Sequence, residues 1–193
     1  DQAYFISLKS EYLFLKQKFN LDNSSVELPE FFRLRPDNFP TIRLSQFSQL
    51  YSTIPHLFSE IIKTDSKEEI YFILSAATSE FWNTHYTFKK DHKVRKKKLT
   101  KSFIDLLIIN TIVPFKYCHL KETGDKETSE TLKIVEQIKP EKNSMVEKFN
   151  ALRSNTATNS HHSQALVQLK NEYCDKKACL QCGLGVKLIQ GMI

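Results

Sequence analysis

Three cysteines in the last twenty residues have the spacing of metal ligands. Cys174, Cys179 and Cys182 form a C-x4-C-x2-C pattern, and thiolates placed two to four residues apart can converge on one zinc ion. Plant-type iron–sulfur ferredoxins use the same triple spacing, with the fourth cysteine downstream. The pattern predicts a metal-binding knuckle over residues 174–185, with zinc preferred to an iron–sulfur cluster.

A tetrahedral zinc site needs a fourth ligand, and the sequence does not choose among its candidates. The remaining cysteine, Cys118, is far upstream and is followed by His119, while His161 and His162 precede the knuckle. The alternative interpretation is that all four thiols are reduced and unliganded. Free cysteine often packs as a small apolar residue, and cytosolic proteins seldom keep disulfides.

The net charge of +6 comes from one segment, residues 89–98, which we call the basic run. It holds seven basic residues and one acid, whereas the rest of the chain has 21 basic and 21 acidic residues. The aromatic candidates Trp82, His85 and Tyr86 precede it. Rings beside cations suit single-stranded DNA or RNA, in which bases stack and phosphates attract cations. The alternative is a solvated charged face with the rings in the core. The cations are Lys89, Lys90, Lys93, Arg95, Lys96, Lys97 and Lys98.

A second candidate for anion binding is the arginine–proline segment, residues 33–43. Arg33, Arg35 and Arg43 flank a predicted helix start at Pro40, for which Asn38 is the expected cap. Arginine forks and free backbone N–H groups at a helix N-terminus suit a phosphate or carboxylate. The alternative is that the arginines pair with nearby acids or carbonyls and serve only the fold.

The hydrophobic pattern predicts helices along most of the chain. Apolar residues recur every three or four positions from Tyr4 to Phe19, and residues 103–115 form an apolar stretch of 13 residues that Pro114 ends or kinks. That stretch is shorter than the roughly 20 residues a bilayer requires, so we expect a buried helix and no membrane contact. Residues 120–128 are charged and are expected to form an exposed loop.

Glycine is scarce, and this argues against a fold built on hairpins. The chain has four glycines, three of them in the last eleven residues, and it has no Asn-Gly or Asp-Gly pair. We therefore expect one all-α domain over residues 1–193. It would be an irregular bundle of about seven or eight helices with a short cysteine-bearing C-terminal segment.

Five ordered motifs resemble one bacterial family, the one described as domain of unknown function 2851. They are Arg35-Pro36-x-Asn38-Phe39-Pro40-x-Ile42-Arg43-Leu44, Trp82-x-x-His85-Tyr86-x-Phe88, Ile109-Asn110-Thr111-Ile112-Val113-Pro114, Ser163-Gln164-Ala165-Leu166 and Asn171-Glu172-Tyr173-Cys174-x4-Cys179-Leu180-x-Cys182-x-Leu184-Gly185. The resemblance implies that the chain is the C-terminal half of a longer protein, whose N-terminal half would be a partner. It implies no catalytic residue. Family members tend to have glycine and small residues where this chain has the basic run.

No signature of catalysis occurs in the chain: a glycine-rich phosphate loop, G-x-S-x-G and H-E-x-x-H are all missing. The leading hypothesis is a cytoplasmic accessory domain of a DNA- or RNA-processing protein, with phosphate contacts and a structural metal site. The second is a structural or protein-interaction module without nucleic-acid binding. The third is an iron–sulfur or redox protein.

Overall fold

The computed structural model describes residues 2–124 and 129–191, and helices predominate in them, which confirms the all-α class. Of the expected loop at 120–128, residues 120–122 belong to a helix and residues 125–128 lie outside the described residues. The helices are α1 Gln2–Lys18, α2 Pro40–Thr53, α3 Leu57–Lys63, α4 Lys67–Ile73, α5 Lys101–Leu107, α6 Val113–Glu122, α7 Ser129–Glu136, α8 Ser144–Leu152, α9 Ser160–Gln168 and α10 Gly183–Ile189.

The chain forms two compact units. Unit 1 comprises residues 1–61 and 71–101, and unit 2 comprises residues 62–70 and 102–193. Each unit is therefore built from two stretches of sequence. The expectation of a single domain over residues 1–193 stays a prediction.

In unit 1, α2 supplies the central helical face. Ile42, Gln46 and Leu50 are buried at four-residue spacing, so they share one side of the helix. Pro40 occupies the first turn as expected, because a helix start needs no N–H at that position. Asn38 does not cap this helix: the cap position is Phe39, which makes no side-chain cap bond.

A short hairpin in unit 1 departs from the purely helical expectation. Strands β1 (His85–Thr87) and β2 (Lys90–Asp91) pair antiparallel, with His85 opposite Asp91 and a register irregularity before Thr87. The backbone N–H of Arg95 then donates to the carbonyl of Asn83 at 2.9 Å. The scarcity of glycine argues only against the type I′ and II′ turns that close most hairpins, because those turns need a positive φ. Here residues 88–89 close the hairpin without a positive φ, next to an irregular register.

A continuous helix runs through α5, a π-helical segment at Ile108–Ile112, and α6. Pro114 therefore does not end the helix. The wider π turn lies just before it, and such turns commonly accommodate a missing backbone donor. The helix spans Lys101–Glu122, 22 residues, and so extends beyond both ends of the 13-residue apolar stretch seen in the sequence.

By length and composition alone, the helix Lys101–Glu122 is long and apolar enough to cross a membrane. A single helix of this kind is weak evidence, since core helices pass the same test. One third of its most apolar window, 33%, is buried. It also carries a buried lysine, Lys116. The absence of membrane contact stays a prediction.

The remainder of unit 2 packs α7, α8 and α9 together. Ser160 and Ser163 on α9 are fully buried against the segment that follows α7. The Ser160 amide donates to the Ile138 carbonyl at 2.9 Å, and the Ser163 hydroxyl accepts from the Glu141 amide at 3.1 Å. Small hydroxyl residues let the backbones approach closely and satisfy the buried groups.

Candidate nucleic-acid interface

Lys97 is the one cation of the basic run that the fold buries. Its side chain is 4% exposed and its ammonium donates to the carbonyls of Trp82 and Asn83, the latter at 3.1 Å. These carbonyls end the 3-10 helical turn Glu80–Asn83, so the lysine satisfies acceptors that the turn leaves open. The ammonium also lies 4.3 Å from the centre of the Tyr86 ring. Lys97 therefore anchors the run and is not exposed to a phosphate.

Burial lowers the pKa of Lys97, and the neighbouring Arg95 lowers it further, while Asp37 acts in the opposite direction. The backbone carbonyl of Lys97 accepts from the buried amide of Gln46 at 3.1 Å. Both the side chain and the backbone of this residue thus tie the basic run to its surroundings in unit 1.

The basic run meets the arginine–proline segment at Asp37. Arg95 donates to the Asp37 carboxylate and, at 2.9 Å, to the hydroxyl of Tyr86. That hydroxyl lies 3.3 Å from the same carboxylate. The ion pair is about half exposed on both sides. Residues separated by 58 positions are brought together here, so the two candidate anion sites of the sequence form one surface.

Arg43 is held inside that surface. Its guanidinium donates to the Asn38 side-chain oxygen at 2.6 Å and to the Gln46 side-chain oxygen at 2.9 Å. Burial lowers the pKa of Arg43, and Asp37 raises it. Arg43 is therefore held by contacts within unit 1, and anion binding by this residue stays a prediction.

Arg33 and Arg35 differ from Arg43 because they are exposed and make no ion pair within the described part of the chain. Arg33 lies over the exposed Phe32 ring, 5.1 Å from its centre. The outward-facing lysines of the basic run also lack an ion pair among the described residues; they are Lys89, Lys90, Lys93, Lys96 and Lys98.

Four rings connect the two sets of exposed cations, and we call them the aromatic row: Phe31, Phe39, Tyr86 and His92. Successive ring centres are 5.1, 6.4 and 5.1 Å apart, each pair edge to face. Phe31 and His92, at the two ends, are exposed, and the two inner rings are half-buried. The row begins at Phe31, two residues before Arg33 in the sequence, and ends within the basic run.

Of the aromatic candidates, Trp82 and His85 lie in the core of unit 1, and Tyr86 belongs to the row. Trp82 and His85 are each 4% exposed. The His85 ring stacks on Phe81 at 4.1 Å, and its Nε2 atom is 2.9 Å from the Asp91 carboxylate. A packed, hydrogen-bonded histidine of this kind orders the hairpin.

The predicted zinc ligands are not assembled into a site in residues 2–124 and 129–191. No group of three or more histidine, cysteine, aspartate or glutamate residues there is arranged to hold a metal. Cys118, Cys174 and Cys179 are exposed free thiols, and Cys182 is a buried one. Cys182 packs at the start of α10, where a side chain at Gly185 would collide with the Cys179 carbonyl. Zinc binding stays a prediction of the spacing.

Sequence reasoning missed Phe31, Phe39 and His92, which belong to the surface, and the buried Gln46, which supports it. Phe31 and Phe39 flank the arginines and could have been noted as rings interleaved with cations, the pattern already recognised near residue 86. The bridging role of Gln46 has no sequence signal, because it depends on a carbonyl 51 positions away.

The described part of the chain is all-α in class, and unit 1 carries a surface of exposed cations and aromatic rings. A family model described as "Protein of unknown function (DUF2851)" matches residues 1–144, and the chain belongs to this family. The motifs at 163–185 lie beyond the match, and the assignment to a C-terminal half is not confirmed. No curated protein and no solved structure matches the chain.

Proposed function

We propose that unit 1 binds single-stranded nucleic acid, as an accessory module of a DNA- or RNA-processing protein. The observation that carries this proposal is the aromatic row, which joins Arg33 and Arg35 at one end to the exposed lysines of the basic run at the other. Bases stack on rings, and a phosphate backbone follows the cations beside them.

The charge distribution supports a polyanionic partner. Seven exposed cations lack an ion pair among the described residues. Of the two acids within the surface, Asp37 is paired with Arg95 and Asp91 lies 2.9 Å from the His85 ring. Paired charges add little to binding, whereas unpaired cations release counterions from a nucleic acid. A single strand is favoured over a duplex, because only unstacked bases expose their faces to a row of side-chain rings.

The test is a fluorescence-anisotropy titration of labelled oligothymidylate and oligouridylate at several salt concentrations. With about seven phosphate contacts, log K should fall against log salt with a slope of roughly −5 for a single strand. Replacing Lys89, Lys90, Lys93, Lys96 and Lys98 with glutamine should reduce the slope by about 3 to 4. Binding that is weak and insensitive to salt would contradict the proposal.

The stacking contribution is tested by Phe31→Ala, because Phe31 is 39% exposed and lies at the end of the row. Loss of one stacked base should weaken binding by about 1–3 kcal/mol without changing the salt slope. The matched control is Phe47→Ala, since Phe47 is an exposed ring of α2 (57%) outside the row. Equal losses for both variants would refute a role for the row.

Helix α1 favours a second candidate function, protein–protein interaction. None of its 17 residues is buried, and large apolar side chains such as Ile6, Leu13 and Phe14 are more than half exposed. Apolar surface of this extent is typical of docking sites. Light scattering of the parent protein and of a Leu13→Glu, Phe14→Glu variant tests this function. A change in mass between them would support interaction through α1, and two monomers would contradict self-association.

A further inference from the structure

A groove in unit 1, distinct from the aromatic row, has the composition of a binding site for a neutral ring compound. It has a volume of about 440 Å³ and lies between α1, α2 and the turn that carries Trp82. Small-molecule sites generally measure about 300–1,000 Å³. None of the described residues that line it is charged. The lining offers no counter-charge to a charged group, so the groove favours an uncharged ligand part.

One wall of the groove is aromatic. Tyr4, Trp82 and Phe88 line it, and their positions are fixed by mutual packing. Tyr4 stacks on Phe81 at 4.1 Å, and the Trp82 and Phe88 rings meet edge to face at 5.1 Å. Tyr4 and Phe88 are half-buried, and apolar surface of this kind suits the ring of a heterocycle.

The opposite wall is a line of hydroxyls on α2. Thr41, Ser45, Ser48 and Ser52 recur every three or four residues, so they face the groove about one helical turn apart. Thr41 donates to the Tyr86 carbonyl at 2.6 Å and Ser45 accepts from the Ser79 amide at 3.1 Å. Their remaining hydrogen-bonding capacity stays available.

Two groups on this wall have no hydrogen bond within the described residues: the Ser48 hydroxyl and the side-chain amide of Gln49. Both residues are exposed. A glutamine amide offers a donor and an acceptor side by side, the pattern that pairs with the edge of a base such as adenine. The hydroxyls beside it can donate to or accept from the polar groups of a nucleoside.

From the neutral lining, the ring wall, the hydroxyl wall and the unpaired amide, we propose that this groove binds a nucleoside, as a free molecule or as one unit of a bound strand. A neighbouring groove shares Gln49 and Ser79 with it and is lined by Lys96. A phosphate attached to the nucleoside would therefore lie outside the neutral groove and near a cation of the basic run. The proposal does not require the strand-binding function to hold.

Trp82 makes the site directly observable. It is the single tryptophan of the chain and it lines the groove. Titration of the full chain with adenosine should give a saturable change in tryptophan emission. Because adenosine is uncharged, its affinity should not vary with salt, in contrast to the salt-dependent binding of an oligonucleotide.

Ser48→Leu fills the groove and should weaken adenosine binding at least ~10-fold, since a bulky side chain displaces the ligand from a packed site. The matched control is Ser59→Leu, an identical change at an exposed position of α3 that lines neither groove. It should bind adenosine as the parent does. Gln49→Ala is a second test variant and should reduce affinity without filling space, and circular dichroism checks that each variant keeps its helices.

The adenosine titrations test the nucleoside site independently of whether the protein binds a nucleic-acid strand. A saturable adenosine response that Ser48→Leu abolishes and Ser59→Leu preserves would support the nucleoside site, whether or not oligonucleotides bind. An absent response, or one that ribose alone reproduces at the same concentration, would overturn it. Salt-sensitive oligonucleotide binding with no adenosine response would overturn the nucleoside site and leave the proposed function of the aromatic row intact. Competition between adenosine and an oligonucleotide would identify the strand as a second source of the nucleoside.

Discussion

Units 1 and 2 each bury a lysine that donates to two backbone carbonyls, but the surroundings of the two ammonium groups differ. Lys97 in unit 1 reaches the carbonyls of Trp82 and Asn83, and Lys116 in unit 2 reaches those of Ile62 and Thr64. Burial lowers the pKa of both lysines. The nearby charge that modifies this effect most is Arg95 for Lys97, whereas for Lys116 it is the acid Asp65, followed by Glu69.

The same contact, a lysine ammonium donating to two backbone carbonyls, has a different role in each unit. In unit 2 the lysine joins α6 to the short segment 62–64 near acids that offset its charge. In unit 1 the lysine has the like-charged Arg95 nearby, with Asp37 acting in the opposite direction, and it holds the basic run against the 3-10 turn. The anchor uses one cation and leaves five exposed lysines facing outward. Unit 1 therefore carries a surface of unbalanced charge that the structure fixes in place.

The largest expected effect on stability comes from replacing each of these two lysines with an uncharged residue. Lys97→Met and Lys116→Met should each lower the free energy of unfolding by about 2–3 kcal/mol, because one buried and one partly buried hydrogen bond to a carbonyl are lost. Urea denaturation followed by circular dichroism measures the loss. Trp82 emission reports on unit 1 specifically, because the residue lies in that unit.

The Lys97→Met and Lys116→Met variants should differ in their affinity for an oligonucleotide. Lys97→Met should also weaken oligonucleotide binding, since the basic run loses its anchor, whereas Lys116→Met should leave binding unchanged. If Lys116→Met impaired binding as strongly as Lys97→Met, the assignment of the interface to unit 1 would be wrong.

The dependence of stability on alkaline pH tests the burial of the two lysines. A lysine with a lowered pKa in the folded state releases its proton before the unfolded chain does, so the unfolded state binds more protons in that interval. The free energy of unfolding should therefore rise with pH from the lowered pKa up to the ordinary lysine value of about 10.4. The rise should be smaller in Lys97→Met and in Lys116→Met than in the parent, as measured by urea midpoints between about pH 8 and 10. Parallel pH profiles for parent and variants would contradict the effect of burial.

The four cysteines all lie in unit 2, and substituting them should change the free energy of unfolding by less than the lysine substitutions do. Cys182→Ser should cost about 1 kcal/mol because it places a hydroxyl in a buried apolar position. Cys174→Ser and Cys179→Ser should change stability by less than about 0.5 kcal/mol, since both thiols are exposed. Elemental analysis of zinc and iron per chain accompanies the series. Stoichiometric zinc with equal, large losses for all three variants would establish the metal site predicted from spacing.

The smallest effect is expected at the exposed pair of Arg95 and Asp37. Both side chains are more than half exposed, at 55% and 56%, so Asp37→Asn should lower stability by less than about 1 kcal/mol. It should increase oligonucleotide affinity slightly, because Arg95 gains freedom to meet a phosphate. A loss of affinity would show instead that the pair positions the Tyr86 ring for binding.

The helices could be predicted because the spacing of apolar residues is a local property. The periodicity of residues 4–19 and the Pro40 helix start both appear in α1 and α2. The hairpin could not, since its closure depends on an irregular register and not on a recognisable turn sequence. The length of the helix Lys101–Glu122 was underestimated, because Pro114 usually ends a helix and the compensating π turn has no sequence signature.

The candidate site was predictable in composition and not in arrangement. The sequence indicated both cationic segments, but their meeting at Asp37 depends on a contact across 58 positions. Nor does a run of similar residues reveal which member is buried. Arg95 and Lys97 make contacts within unit 1 while Lys96 and Lys98 face outward, and this alternation is typical of extended backbone.

The segments of the two units alternate along the sequence, and this decides how the gene can be divided into fragments. A fragment ending at residue 101 contains every residue of unit 1, together with the short stretch 62–70. The complementary fragment, beginning at 102, lacks that stretch, and with it the two carbonyls that receive the Lys116 ammonium. Unit 1 can therefore be expressed whole from one uninterrupted reading frame. Unit 2 requires either the intact chain or a rearranged gene in which residues 62–70 are joined to it again.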